Sequence, residues 1–239
     1  MKKKPLIIAL DFSGKQELQD FLQKMGNEQL YVKAGMELFY GEGPEILYEL
    51  KEKGHQIFLD LKLHDIPNTI RQAMKRLAGF SPDMVNVHAA GGRNMMEAAL
   101  EGLEAGTESG AKRPLCIAVT QLTSTSPALL REELLIQTPM KETVLHYAKN
   151  AYTSGLDGIV CSVHESEEIH AAITPQFLTV TPGIRLITDS VNDQIRVADP
   201  EEARTKNVSA IVVGRSITAS NDPLAAYIRV KKLWEGAAV

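Results

Sequence analysis

Cysteine is almost missing from this sequence, with two in 239 residues, Cys116 and Cys161, each inside an apolar run (LCIAV and GIVCS). A pair so placed builds no disulfide framework and reads as two small buried hydrophobes in a reducing cytosol. Long apolar runs are missing too. No stretch approaches the roughly 18 residues of a membrane span. The opening MKKKPLIIALD carries the lysines of a signal peptide, but Asp11 ends its apolar stretch after Leu6–Leu10, shorter than the ~7 residues a signal needs. A cytoplasmic chain with no membrane partner is expected. Positive charge is not in excess, since 26 Lys plus Arg face 30 Asp plus Glu for a net charge of -4. No overall field therefore draws nucleic acid or anionic lipid, and any anion site must be local. No Pro/Ser linker, low-complexity tract or long charge run divides the chain, so residues 1–239 read as one domain with ample core material at 44% hydrophobic.

What is present is a repeat. Short runs rich in Val, Ile and Leu begin near Leu6, Tyr31, Ile57, Met84, Leu115, Gly158, Leu178 and Ala210, spaced on average about 30 residues apart, the size of one βα unit. Helical periodicity between them predicts helices over Lys15–Lys24, Pro44–Lys53, Thr69–Ala78, Asn94–Glu104, Lys141–Thr153 and Pro223–Trp234. Eight such units predict an α/β fold of the (β/α)8 TIM-barrel type. A doubly wound open sheet is the alternative. It finds little support in LDFSGKQ, which has one glycine where a dinucleotide fingerprint needs three. The one long interval, after the fifth run, reads as a loop from Gln121 to Met140 on the active face.

The segment FLDLKLHD carries the chemistry. Strand alternation puts Asp60, Lys62 and His64 on one face and Leu59, Leu61 and Leu63 on the other. In a closed barrel the apolar face packs under helices, so the charged face looks into the mouth, where charges persist only if paired. Lys33 near the end of strand two joins them, and Asp11 closes strand one. Lys33 and Lys62 with Asp60 and Asp65 are expected to form a neutral chain in which carboxylates keep the ammoniums protonated. Two glycine turns, TPGIR and VVGRS, end the last two strands and deliver Arg185 and Arg215. Loops there often grip a phosphate, Gly214 allowing close approach of the backbone and Arg215 taking two oxygens. The six histidines show no paired metal-binding spacing such as H-E-x-x-H, although carboxylates leave Mg²⁺ open. His88 reads as structural, His55, His146 and His170 as surface residues of helices, and Met95 and Met96 as helix core.

DLKLHDIPNT (Asp60 to Thr69), VNVHAAGG, TPGIR, DQIRV and IVVGRSI, in this order and spacing from Asp11 to about Tyr227, resemble the motifs of the bacterial orotidine 5'-phosphate decarboxylase family. That resemblance implies conversion of orotidine 5'-phosphate to UMP and CO2 in pyrimidine biosynthesis, with no metal and no organic cofactor. It makes Lys62 the proton donor, with Lys33, Asp60 and Asp65 as its charged network. It also implies a homodimer in which Asp65, Ile66 and the Thr69 neighbourhood reach the partner's site. Asp11 would hold the ribose, Thr123 the pyrimidine, and Gln194, Gly214, Arg215 and Arg185 the phosphate. Asn192 departs from a frequent glycine and bears on the stiffness of the loop before Gln194. A Mg²⁺-dependent sugar-phosphate decarboxylase or epimerase on the same barrel, and a nucleotide binder without catalysis, are the rival readings.

Overall fold

The computed structural model describes residues 4–186 and 197–237. Strand and helix alternate as the periodicity demands. β1 (Leu6–Leu10) leads to α1 (Lys15–Met25), β2 (Tyr31–Gly35) to α2 (Met36–Glu42) and α3 (Glu45–Glu52), and β3 (Gln56–Leu63) to α4 (Pro67–Ala78). β4 (Met84–His88) passes through a 3₁₀ turn at Ala89–Gly91 into α5 (Gly92–Gly106), and β5 (Leu115–Val119) precedes α6 (Pro127–Glu132) and α7 (Met140–Thr153). β6 (Gly158–Val160) precedes α8 (Val163–Ala172), β7 (Leu178–Thr181) precedes α9 (Pro200–Thr205), and β8 (Ala210–Val213) precedes α10 (Arg215–Thr218) and α11 (Pro223–Glu235). The eight strands pair in parallel in chain order, and β8 closes on β1 with Ile7 opposite Val212. Closure rules out the open-sheet alternative.

Alternation along the strands builds two cores. Ile7 and Ala9 of β1, Phe58 of β3, Met84 of β4, Ile117 of β5, Val180 of β7 and Ala210 and Val212 of β8 fill the barrel. Their neighbours Ile8, Leu10, Leu59, Leu61, Val85, Ile211 and Val213 pack outward under the helices. Continuing the inward set toward the C-terminal end brings Asp11 after Ala9, Lys33 after Tyr31, Asp60 after Phe58 and Gly214 after Val212. The barrel thus raises its polar residues to one mouth by period alone.

Both cysteines are buried and outside any disulfide, and burial pushes the Cys116 thiol up to about 12. Met95 and Met96 are core residues of α5. α5 lies against α4 so closely that a methyl group on Gly102 or Gly106 would overlap the carbonyls of Arg71 and Lys75; glycine permits this approach of two backbones. The predicted helix at Thr69 starts two residues earlier, at Pro67, whose fixed φ suits a first turn. The short helices α2, α6, α9 and α10 escape the periodicity because each has seven residues or fewer, under two turns. His55 is a correction. It is buried in the turn before β3, where Nδ1 accepts the Leu30 N–H at 3.2 Å, rather than sitting on a surface helix. His146 is on α7 and exposed, while His170 on α8 is half-buried and bonded to the Phe177 carbonyl.

Candidate active site

A cleft of about 500 Å³ opens at the C-terminal end of the barrel. At its base four charges form a chain. Lys33 Nζ lies 3.0 Å from Asp11 Oδ1 and 3.3 Å from Asp60 Oδ2, and Lys62 Nζ lies 2.8 Å from Asp60 Oδ1. Within one chain a neutral network is therefore present, with Asp11 as its second carboxylate, and Asp65 takes no part in it in its own subunit. Asp65 stands beyond the end of β3 in the exposed stretch His64–Thr69, where its carboxylate accepts the N–H of Ile66 at 2.6 Å. Pro67 holds Ile66 extended, with ψ 151°, so the chain turns outward before α4 begins.

Electrostatics at the base are decided by competition between burial and opposite charge. Burial, the largest single influence on Asp60, pushes its carboxyl up. Lys33, Lys62 and the hydrogen bonds from Lys62 and Asn86 outweigh burial and hold it below the usual carboxylate range. Burial pulls Lys33 down, yet Asp60 and Asp11 together carry it above the usual lysine range. Both groups are thus ionised across the neutral pH range. Asn86 was not among the expected site residues. It occupies the inward position after Met84 on β4, and its Nδ2 donates to Asp60 Oδ1 at 2.7 Å. A polar residue at an inward barrel position next to β3 is the signal that finds it.

His64 is a second correction. Lys62 has φ +50° and the pairing of β3 with β4 shifts register between Leu59 and Leu63, so alternation ends at Lys62. His64 leaves the charged face and stacks on His88 with ring centroids 5.5 Å apart. The His88 ring is half-buried, and burial, then the neighbouring His64 and Lys62, lower its pKa.

The rest of the cleft gathers several expected residues. Thr123 lines it from the segment after β5, together with Gln121 and Ser124, as a loop on the active face should. Gly214, beside Asp11, and Arg215 line it after β8, and Arg185 arrives after β7. The TPGIR turn relies on Gly183, at φ +81°. Arg185 donates its backbone N–H to Ala198 at 3.0 Å, and its buried Nε has no hydrogen-bond partner among the described residues. Ile66, 68% exposed, and Thr69 do not reach the cleft of their own chain. Gln194 and Asn192 lie outside the described residues. Among the described residues no three His, Cys, Asp or Glu side chains are grouped to hold a metal, and no described helix is long and apolar enough to cross a membrane.

The cleft thus combines a charged base with two arginines in its lining. Residues 4–230 match the model of the orotidine 5'-phosphate decarboxylase / HUMPS family. The chain is 63% identical to the orotidine 5'-phosphate decarboxylase of Bacillus licheniformis and 59% identical to that of Bacillus cytotoxicus, each over 99% of both chains. Its fold is similar to the crystal structure of orotidine 5'-phosphate decarboxylase from Lactobacillus acidophilus, with a TM-score of 0.88 at 44% identity over 97% of this chain and 99% of that one. It is likewise similar to a conserved protein from Geobacillus kaustophilus described as uncharacterized, with a TM-score of 0.86 at 54% identity over 96% and 100% of the two chains.

Proposed function

The chain belongs to the orotidine 5'-phosphate decarboxylase / HUMPS family, and from that premise we propose how its cleft takes carbon dioxide from orotidine 5'-phosphate to leave UMP. It is a carboxy-lyase of pyrimidine biosynthesis. The observation that carries the mechanism is the continuous chain Asp11–Lys33–Asp60–Lys62. When the C6–carboxylate bond breaks, the electron pair stays on C6 in the ring plane, where no π system receives it. Stabilisation must then come from fixed charge placed before the reaction begins. Lys62 supplies that charge and then transfers a proton from Nζ to C6, regaining one from solvent. Asp60, held ionised, fixes the Lys62 ammonium and disfavours the substrate carboxylate relative to the departing neutral CO2. Lys33 keeps Asp60 charged. The rival Mg²⁺-dependent chemistry has less support, since both carboxylates of the base are already committed to Lys33.

Arg215 and Arg185 hold the phosphate, with Gly214 at the same end and Gln194 joining them. The Arg185 Nε, which has no hydrogen-bond partner among the described residues, supports an anion there. Asp11 meets the ribose and Thr123 the pyrimidine. Phosphate binding, remote from the bond that breaks, closes the site over the ring and lowers the chemical barrier. The exposure of Asp65, Ile66 and Thr69 supports a homodimer in which these residues serve the partner's cleft.

Purified protein given orotidine 5'-phosphate should consume its near-ultraviolet absorbance and release UMP, at the same rate after dialysis against EDTA. Loss of turnover that Mg²⁺ restores would overturn the electrostatic reading. For the dimer, the inactive Lys62→Ala and Asp65→Ala proteins are mixed and allowed to exchange subunits. One site in each mixed dimer is then intact, and activity peaks at equal amounts at up to about a quarter of wild type, as two-fold symmetry dictates. A mixture that stays inactive despite exchange places Asp65 in its own subunit's site.

A further inference from the structure

We infer that Asn86 is a positioning residue for the proton donor, its single amide fixing both the backbone and the charge partner of Lys62. The inference rests on the decarboxylase reading above and deepens it. Asn86 is 1% exposed on β4. Its Oδ1 accepts the backbone N–H of Lys62 at 2.8 Å, and its Nδ2 donates to Asp60 Oδ1 at 2.7 Å. The same Asp60 oxygen takes Lys62 Nζ at 2.8 Å. These contacts close a ring that leaves Lys62 through its main chain, passes through the amide and the carboxylate, and returns to its ammonium.

Only one orientation of the amide satisfies this ring. A backbone N–H can only donate and an ionised carboxylate can only accept, so a flipped amide would oppose both. The ring sits where the backbone is least ordinary. Lys62 is left-handed, at φ +50°, inside the register shift between β3 and β4. That conformation is costly for a residue with a Cβ and persists where its surroundings over-determine it. The shift also takes the Lys62 N–H out of the strand ladder, and a buried N–H needs another partner. Asn86 supplies the partner, and through its other end it orients the Asp60 carboxylate that receives Lys62 Nζ. A side chain that only filled space at this inward position would be apolar, as Met84 and Ile117 are.

The test compares wild type, Asn86→Leu and Asn86→Asp in turnover of orotidine 5'-phosphate and in affinity for UMP. Asn86→Leu has similar size and no polar atom. It is expected to lower kcat about 10- to 100-fold, the usual loss when an outer partner of a site residue is removed. UMP, gripped at its phosphate and ribose, should bind within about 3-fold of wild type. Equal losses of kcat and of UMP affinity would make Asn86 merely structural and overturn the inference. Asn86→Asp remains informative if the leucine variant does not fold. It keeps the acceptor for Lys62 N–H, but donates to Asp60 only while its new carboxyl is protonated. Its kcat relative to wild type should therefore rise as pH is lowered. The wild-type profile controls for Asp11, Lys33, Asp60 and Lys62, and for the stacked His64 and His88. Parallel profiles would overturn the inference. Absence of turnover by wild type overturns the functional reading and the inference together, whereas wild-type turnover retained by Asn86→Leu overturns the inference alone.

Discussion

Replacing Asp60 by alanine should unsettle the fold as well as stop the reaction, and its pH dependence distinguishes the causes. Asp60 lies 3.3 Å from Lys33 and 2.8 Å from Lys62, contacts that each carry about 5–6 kcal/mol of gross Coulomb attraction at an effective dielectric constant near 20. Desolvation offsets much of this, and removing one member of a buried pair typically costs about 3–5 kcal/mol because the other is stranded. The side chain of Lys62 is 30% exposed and can rehydrate, while that of Lys33 is only 12% exposed. The lower figure, about 3 kcal/mol, therefore applies, a fall in Tm of about 6–12 °C for a domain of this size. In wild type the depressed Asp60 contributes stability that is present above the unfolded carboxylate pKa and lost as pH falls through its folded value. The raised Lys33 contributes stability that is present below the unfolded lysine pKa and lost as pH rises through its folded value. Without Asp60 only Asp11 still opposes burial at Lys33, so the Lys33 pKa falls below its wild-type position and the gap in stability should narrow as pH rises and the half-paired ammonium deprotonates. The measurement is thermal unfolding of both proteins from pH 6 to 10. The double variant Asp60→Ala/Lys33→Met should recover stability without activity, because it removes the buried ammonium left with Asp11 alone. A deficit below about 1 kcal/mol, a gap constant across that range, or a double variant no more stable than the single would each refute the electrostatic account.

Arg215→Ala should lower kcat/KM at least about 100-fold, the worth of two charge-assisted hydrogen bonds, while the fold survives; phosphite dianion should partly restore turnover of a truncated nucleoside substrate, and normal kinetics would put the phosphate elsewhere. Gly106→Ala would gain up to about 1 kcal/mol in an exposed helix, but overpacking against Lys75 costs about 1–3 kcal/mol, so a lower Tm by calorimetry is expected and a higher one would contradict the α4–α5 contact. The pKa of His55 is lowered by burial and then by Lys53, so the stability it contributes is present above about pH 6.5 and lost as pH falls through its folded value. Protonation also ends its bond from Leu30, so His55→Asn, which keeps an acceptor, should lose less stability between pH 7 and 5, and parallel curves would refute that role.

Much of this molecule is written in local periodicity. All eight strands begin at or within one residue of where apolar runs place them, and the same period of two, extended past Ala9, Tyr31 and Phe58, names Asp11, Lys33 and Asp60 as residues of one mouth. Alternation survives in the sequence because it is a property of neighbouring residues. Which carboxylate completes the network is not. Asp65 follows Lys62 by three residues and Asp11 precedes it by fifty-one, yet the pairing of β1 with β2 sets Asp11 Oδ1 3.0 Å from Lys33, while Pro67 turns Asp65 away from its own chain's cleft. The left-handed Lys62, the departure of His64 and the Asn86 ring depend on a register shift between two strands. A register exists only when both strands are in place, so no reading of β3 alone contains it.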